Sequence, residues 1–175
     1  MFYIIGLGNP GEEYKESRHN TGCMVVNFFA QNNENKKVRI IYSDTFMNHS
    51  GKAVAKAMVS KKSFDNLIVV YDDIDLALGT IKISYNKSSG GHRGLESIIK
   101  TIGTKEFTRI RIGISPITPK GKLKKPQGEK AVLDFILGNF KLSEKEVLKK
   151  VFKKVSEALK LIVEEGRERA MNTYN

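Results

Sequence analysis

Apolar positions along the chain follow two different spacings, and each spacing predicts a different element. Strands are predicted where β-branched and aromatic residues form short runs or alternate with polar residues, and helices where apolar residues recur roughly every three to four positions. The predicted strands are residues 2–7, 38–42, 67–71, 80–85 and 107–114, and the predicted helices are residues 22–30, 51–61, 95–102, 131–137 and 143–165. Residues 8–20 have no apolar face and are predicted to form a long loop.

The last predicted helix has the clearest signals. Ser143 and Glu146 have the spacing of a capping box, and Gly166 is typical of the position that follows a helix. One apolar stripe lies between them, formed by Val147, Leu148, Val151, Phe152, Val155, Leu159, Ile162 and Val163. The stripe predicts a long amphipathic helix packed on a core.

Strands and helices alternate through most of the chain, which favours the α/β class with helices on both faces of one sheet. The length of 175 residues suits a single domain, residues 1–175, and 40% hydrophobic residues are enough for a real core. Ligands of such folds bind at the carboxyl ends of the strands. We therefore expect the functional residues on the loops that leave the strands.

The charge balance points to an anionic partner. Thirty Lys and Arg residues against 19 Asp and Glu residues give a formal net charge of +11 at pH 7. Nucleic acid is the commonest partner of such a chain, although a membrane surface or solubility alone would also account for the charge. Five lysines fall in the long predicted loop at residues 116–130, at positions Lys120, Lys122, Lys124, Lys125 and Lys130.

Cysteine content and hydropathy indicate in which cellular compartment the protein works. Cys23 is the single cysteine, which excludes an intramolecular disulfide and a zinc site built on cysteines. No apolar run approaches the roughly 20 residues of a membrane span, and the first residues lack the basic start and apolar stretch of a signal peptide. We expect a cytoplasmic protein that does not enter a membrane.

The segment Gly6-Leu7-Gly8-Asn9-Pro10-Gly11 follows a predicted strand and matches the G-x-G-x-x-G pattern of dinucleotide sites. Such a site needs a helix to open within the motif, and Pro10 with the polar residues after it delays any helix. The acidic residue expected after a second strand is also missing. A tight glycine turn that leaves a strand is the preferred interpretation.

His19 and Asp72 are candidates for acid–base chemistry. His19 lies in a loop just before a predicted helix, where a neutral imidazole can act as a general base or simply sit at the surface. Asp72 directly follows the apolar strand at residues 67–71 and could orient a histidine. With Asp73 and Asp75 it could instead bind magnesium, but we expect those two acids to cap a turn before Gly79.

Two further helix entries offer polar groups to a ligand. Residues 88–94, Ser-Ser-Gly-Gly-His-Arg-Gly, present backbone N–H groups and a cation that could hold a phosphate, or form a flexible hairpin exit. In residues 46–51, Asn48 or Ser50 could be an N-cap. No G-x-S-x-G elbow or cysteine signature occurs, and His19, His49 and His92 are too dispersed to predict a zinc site. With a covalent acyl-enzyme and a zinc site both unsupported, the simplest mechanism is attack of water on the substrate with one histidine as general base.

Taken together, these segments resemble the bacterial-type peptidyl-tRNA hydrolases. The resemblance runs from residue 6 to residue 175, and the combination of motifs is far more specific than any one of them. The matching stretches, in the family's order, are GLGNPGEEY, SRHNTG, FMNHSGKAV, YDDIDLALG, SSGGHRGL, FTRIRIGI and VLDFILGNF. The resemblance implies a tRNA substrate, no metal or other cofactor, and a twisted mixed β-sheet rather than a Rossmann topology. A monomer is expected because no apolar stripe beyond the core faces predicts an interface.

The resemblance also assigns roles to single residues. His19 would be the general base that activates water, and Asp72 would stabilise the form of His19 that accepts the proton. Asn9 would distinguish blocked from free aminoacyl groups. Substrate contacts would come from Tyr14, Phe46 and Asn48, and Asn48 could also donate to the developing oxyanion. The lysines of residues 116–130 could follow the acceptor-stem backbone or form a solvated mobile loop.

Arg93 departs from the family pattern, since many relatives carry Asn there, and a cation at this position could grip a phosphate instead. The segment at residues 30–42 is shorter than in typical members, which is expected to trim the sheet edge without touching the site. Two other functions stay open at this point. One is a non-catalytic RNA-binding relative of the same fold, and the other is a metal-dependent nuclease or phosphatase that uses Asp72, Asp73 and Asp75.

Overall fold

Five strands of this computed structural model, which describes residues 1–58 and 64–175, pair into one mixed sheet. The strands are β1 (Phe2–Gly6), β2 (Val38–Ile41), β3 (Leu67–Ala77), β4 (Ile81–Tyr85) and β5 (Thr108–Ser115). Their order is β2-β1-β3-β5-β4, with β4 antiparallel to β5 and every other pairing parallel. The α/β class and the mixed sheet expected from the sequence are both confirmed.

Helices cover both faces of this sheet. They are α1 (Thr21–Gln31), α2 (Ser50–Ala57), α3 (Arg93–Ile102), α4 (Glu129–Leu137), α5 (Leu142–Glu165) and α6 (Arg167–Tyr174). On one face α1, α5 and α6 pack on residues such as Ile68 and Val70, and on the other α2 and α3 pack on Leu67 and Val69. Successive residues of β3 therefore enter opposite cores, as the alternation of a strand requires. No helix in the described residues could cross a membrane.

Close backbone contact fixes α1 against the sheet. A Cβ on Gly22 would lie 2.2 Å from the Val70 carbonyl oxygen, and a Cβ on Gly6 would lie 2.2 Å from the Gly22 carbonyl oxygen. Only glycine permits this approach, because any side chain would force the helix away from β1 and β3. The turn that precedes α1, and with it His19, is thereby placed beside the carboxyl end of β1 and the middle of β3.

Most predicted elements are present, with shifts of a few residues at their ends. The loop predicted at residues 8–20 contains two 3₁₀ turns, Glu12–Tyr14 and Arg18–Asn20. The helix predicted at 51–61 begins at Ser50 and ends at Ala57, and its predicted last residues, 59–61, lie outside the described part of the chain.

Two sequence interpretations were wrong. Helix α5 begins at Leu142, where the Glu144 carboxylate accepts a hydrogen bond from the Lys141 N–H at 2.7 Å, so the capping box predicted from Ser143 and Glu146 does not form. Glu146 instead pairs with Lys149. The strand predicted to end at residue 71 continues to Ala77. Its second half pairs with β5, and its acidic residues Asp73 and Asp75 form salt bridges with Arg111 and Lys125.

Candidate active site

A large cavity of about 1340 Å³ opens beside the carboxyl end of β1 and the second half of β3. Its walls are the loop after β1, the second half of β3, the first residues of α2 and α3, and one side of α4. Seven residues predicted from the sequence line it together: Asn9, Tyr14, His19, Phe46, Asn48, Asp72 and Arg93. The sequence predicted these residues on the loops that leave the strands, and the structure brings them together on one side of the sheet.

The predicted pair His19 and Asp72 is in direct contact, and a third side chain joins it. His19 Nδ1 lies 3.0 and 2.9 Å from the two carboxylate oxygens of Asp72. His92 Nε2 lies 3.2 Å from Asp72 Oδ1, and the two imidazole rings are tilted with their centroids 4.9 Å apart. Asp72 is only 3% exposed. One buried carboxylate therefore accepts hydrogen bonds from two imidazoles.

The hydrogen-bond network assigns the tautomer of each ring. His92 is the N-cap of α3, where its Nδ1 accepts from the Leu95 N–H at 3.5 Å, so its Nε2 carries the hydrogen that Asp72 accepts. His19 donates through Nδ1, which leaves Nε2 unprotonated in the neutral ring. Within the described residues Nε2 of His19 has no hydrogen-bond partner. His19 is thus held as a base with its free nitrogen available to a ligand in the cavity.

The surroundings keep Asp72 ionised. Burial by itself would raise the pKa of the carboxyl, but the positive charge of His19 and the hydrogen bonds from His19 and His92 outweigh burial and hold the pKa well below its usual range. Asp72 can therefore stabilise an imidazolium at His19 without taking up a proton itself.

The depressed pKa of Asp72 predicts a loss of stability in acid. A group whose pKa is lower in the folded state stabilises that state above its unfolded value, about 4, and the stabilisation is lost as pH falls through the folded value. The free energy of unfolding of the wild type should therefore fall more steeply below about pH 4 than that of Asp72→Asn, measured by urea unfolding across the range. Asp44→Asn, at an exposed carboxylate, is the matched control. Parallel curves for wild type and Asp72→Asn would contradict the prediction.

A second network fixes the amide of Asn9. The Asn20 side chain accepts from the Asn9 N–H and donates to the Asn9 carbonyl, both at 2.8 Å. Asn9 Oδ1 then accepts from the Met47 N–H at 2.9 Å. This bond fixes the orientation of the Asn9 amide and leaves its Nδ2 hydrogens available to a ligand. Asn48, which follows Met47, is exposed on the same wall of the cavity.

Apolar side chains form the rim. Tyr14 and Phe46 meet edge to face with ring centroids 6.3 Å apart, and Phe46 is 53% exposed. Across the cavity, α4 contributes Val132 and Leu133. A cavity with an apolar rim and a polar floor suits a ligand with an apolar part next to a reacting polar group.

Not every predicted site residue enters the cavity. Lys120, Lys122, Lys124 and Lys125 are exposed on the segment between β5 and α4 and do not line the cavity, and Lys125 pairs with Asp75. Arg93 lines the cavity, but its exposed guanidinium lies 3.6 Å from Glu129 at the start of α4. An exposed pair of this kind adds little stability, so Arg93 is free to change partner when an anion arrives.

Asp73 and Asp75 lie in β3 and not in a turn before Gly79, which corrects the sequence interpretation, although Asp73 Oδ1 accepts from the Asp75 N–H at 2.8 Å. Both lie within β3, where Asp73 accepts from Arg111 Nε at 2.6 Å and Asp75 pairs with Lys125. Strand alternation also turns Asp73 away from Asp72. The three carboxylates therefore do not converge on one point.

His92 is the functional residue that sequence reasoning missed. The wide spacing of the three histidines along the chain gives no sign of a joint role, yet His19 and His92 share Asp72. The ligand atoms of His19, Asp72 and His92 lie within 4.8 Å of one another, which is compatible with metal binding. A metal there would displace the hydrogens that now join both rings to Asp72. The helix entry after Gly90 and Gly91 was the available signal, since His92 caps α3.

The comparisons with known proteins agree with one another. A profile of the peptidyl-tRNA hydrolase family matches residues 3–175. The peptidyl-tRNA hydrolase of Fervidobacterium nodosum is 43% identical over 185 residues, covering 98% of this chain and 94% of that protein, and the one of Thermodesulfovibrio yellowstonii is 39% identical over 195 residues, covering 100% and 99%. The crystal structure of peptidyl-tRNA hydrolase from Acinetobacter baumannii superposes with a TM-score of 0.86 at 27% identity, covering 100% of this chain and 94% of that one.

Proposed function

The chain belongs to the peptidyl-tRNA hydrolase family, and we propose that it uses His19 to hydrolyse the ester between a peptide and the terminal ribose of tRNA. The observation that carries the assignment of residues is the free Nε2 of His19, held over the cavity floor by Asp72. Such a reaction recycles tRNA from peptidyl-tRNA that was released prematurely.

The chemistry follows from the tautomer of His19. Nε2 takes a proton from water while the water oxygen bonds to the ester carbonyl carbon, and Asp72 stabilises the imidazolium that forms. When the tetrahedral intermediate collapses, the carbon–oxygen bond to the ribose breaks and His19 returns the proton to the ribose oxygen. The products are a free peptide carboxylate and a tRNA with an intact terminal ribose.

Two amides support this step from the side. We assign Asn48, which lines the cavity, as the donor to the oxyanion, a contribution of about 3 to 4 kcal/mol when such a donor is preorganised. Within the described part of the chain, Asn9 is oriented with its Nδ2 hydrogens unpaired, so these can donate to the carbonyl of a blocked amino group. A free ammonium has only donors of its own and would leave Asn9 unpaired. The cavity should therefore prefer a peptide or an N-blocked aminoacyl group.

The positive charge of the chain supports tRNA as the other part of the substrate. The net charge is +11, and four cationic side chains, Lys82, Lys87, Arg93 and Arg111, line the cavity. Phosphate contacts of this kind supply affinity without reading sequence. All the proposed catalytic side chains come from one chain, so we also propose a cytoplasmic enzyme that acts as a monomer.

Two competing functions are less well supported. A metal-dependent nuclease would need Asp72, Asp73 and Asp75 to bind one metal ion. Asp73 instead forms a salt bridge with Arg111, and Asp75 forms one with Lys125. A non-catalytic RNA-binding relative would have no use for an imidazole oriented by a buried carboxylate and leaving one nitrogen free.

The function is tested by following release of the acyl group from N-acetyl-aminoacyl-tRNA with and without EDTA, and from the same tRNA with a free amino group. We expect turnover of the blocked substrate in both conditions and at least about tenfold slower turnover of the free one, since an unpaired buried donor costs more than about 1 kcal/mol. Tight tRNA binding without turnover would favour the non-catalytic relative, and loss of activity in EDTA would favour a metal enzyme.

Charge reversal on the segment before α4 should weaken tRNA binding without slowing the chemical step. For Lys122→Glu/Lys124→Glu, the logarithm of the binding constant is plotted against the logarithm of the salt concentration. The slope of this plot should become shallower by about one unit for each phosphate that the variant no longer binds. Lys150→Glu/Lys153→Glu makes the same change at exposed lysines of α5, outside the segment that leads into the cavity wall α4, and should have the smaller effect. Filter binding at several salt concentrations checks this, and equal effects in both variants would assign these lysines no specific role in binding.

A further inference from the structure

Arg18, the residue before the candidate base, is almost completely buried. It is 7% exposed, and its guanidinium lies 4.6 Å from the ring centroid of Phe135 and 5.1 Å from that of Phe140. One end donates to the Asn139 carbonyl at 2.7 Å and the other pairs with Glu144 at 2.8 Å. The planar guanidinium thus donates to two acceptors while it packs against two aromatic rings. A lysine ammonium could not reproduce this set of contacts.

These contacts join the turn that carries His19 to the connection between α4 and α5. The backbone makes the same junction, because the Arg18 N–H donates to the Gly138 carbonyl at 3.0 Å and Ser17 bridges to Asn139. Glu144 also accepts from the Lys141 N–H, so the same carboxylate begins α5. Arg18 itself does not line the cavity and cannot touch a substrate there.

The helix on the other side of this junction is a wall of the cavity. None of the residues of α4 is fully buried, yet Val132, Leu133, Ile136 and Leu137 line the cavity. Phe135 of α4 is held by the guanidinium of Arg18. A helix with so little buried surface depends on such contacts for its position. One side chain therefore fixes both the candidate base and the wall that faces it.

We propose that Arg18 and Glu144 form a buried latch, the Arg18–Glu144 latch, that sets the position of His19 relative to the cavity wall. Arg18 is a positioning residue for the hydrolysis described above, and its role rests on that proposed function. Removing either partner leaves the other charge buried and unpaired, which loosens the turn before α1 and the start of α5 together. A displacement of His19 by about 1 Å is enough to lower the rate about 100-fold.

The test compares Arg18→Gln, Glu144→Gln and the double variant in single-turnover hydrolysis of N-acetyl-aminoacyl-tRNA. We expect the rate at saturating enzyme to fall about 10- to 100-fold in each single variant, with tRNA affinity within about twofold of wild type. The double variant should lose no more than the worse single variant, because both changes open one latch. Arg18→Lys keeps the charge without the planar guanidinium and should recover only part of the rate.

Glu16→Gln is the matched control. Glu16 pairs with Lys145 at 2.9 Å, so it joins the same two segments at the exposed surface, and its loss should leave rate and affinity unchanged. Thermal midpoints are measured for every variant, and rates are taken well below them. A lower midpoint with an unchanged rate would show a purely structural role and overturn the proposal, as would a loss of affinity at constant rate.

The ring of His19 gives a second readout that does not depend on activity. In the imidazole ¹H–¹⁵N spectrum, the Nδ1 hydrogen bonded to Asp72 should exchange slowly with water in wild type and Glu16→Gln, and rapidly in Arg18→Gln. An unchanged signal in Arg18→Gln would overturn the latch. If wild type shows no hydrolysis but the signal still depends on Arg18, the latch stands and the proposed function fails.

Discussion

His19→Ala should slow the release of peptide from peptidyl-tRNA by about 10²- to 10⁴-fold, the range that a positioned general base contributes. The change removes the only group in the cavity floor whose free nitrogen is oriented by Asp72, and water would then have to attack without a base. The affinity for tRNA should stay nearly intact, since an uncharged imidazole makes no phosphate contact. Single-turnover release and equilibrium binding, measured on the same preparations, separate the two effects.

The thermal midpoint of His19→Ala shows whether the fold survives, since Asp72 loses one of its two donors. His49→Ala is the matched control, because His49 is exposed and has no contact with Asp72 among the described residues. A rate for His19→Ala within about tenfold of wild type would contradict general-base catalysis by this residue. A large loss of tRNA affinity would instead make His19 a binding residue.

Asp72→Asn should be nearly as damaging, although it preserves the shape of the side chain. An amide replaces one of the two acceptor oxygens by an NH₂ group. His19 Nδ1 lies within 3.0 Å of both oxygens of Asp72, so the amide nitrogen would face His19 in either orientation. The ring that faces the amide nitrogen must become an acceptor, so the cavity nitrogen of His19 gains the hydrogen and the base is lost. The corresponding change in hydrolase triads costs about 10⁴-fold in turnover.

The rates of wild type, Asp72→Asn and Asp44→Asn are measured from pH 5 to 9. Asp44→Asn is the control, because it makes the same change at an exposed carboxylate. The wild-type and Asp44→Asn rates should agree at every pH, while Asp72→Asn stays low throughout. Recovery of the Asp72→Asn rate to the wild-type level at high pH would contradict the assignment, because an imidazole held in the wrong tautomer has no free nitrogen in the cavity at any pH.

The fold was largely predictable because its elements repeat simple periods. The apolar run at the start of β3 and the stripe of α5 both enter cores that the sequence pattern describes correctly. The second half of β3 was missed because it carries Asp73 and Asp75, which are unfavourable in an isolated strand. Their partners, Arg111 and Lys125, are distant in sequence, and no local pattern contains those contacts.

The site shows the same division between local and distant signals. His19 and Asp72 were found because each lies next to a predicted element and within a family motif. His92 was not, because its role depends on the middle of β3 meeting the start of α3. Arg18 was also overlooked, since nothing near it in the sequence indicates Glu144, Phe135 or Phe140. Side chains that act through tertiary contacts become visible only once the sheet order is known.

The most direct test of ester hydrolysis at this cavity is the fate of oxygen from ¹⁸O-labelled water. N-acetyl-aminoacyl-tRNA is incubated with the EDTA-treated enzyme in labelled water, and both products are analysed by mass spectrometry. Attack by water at the carbonyl carbon puts one ¹⁸O into the carboxylate of the released N-acetyl amino acid and leaves an unlabelled tRNA that can be charged again. Label in a phosphate or a shortened tRNA would show cleavage of the nucleic acid instead, and would contradict the proposed reaction.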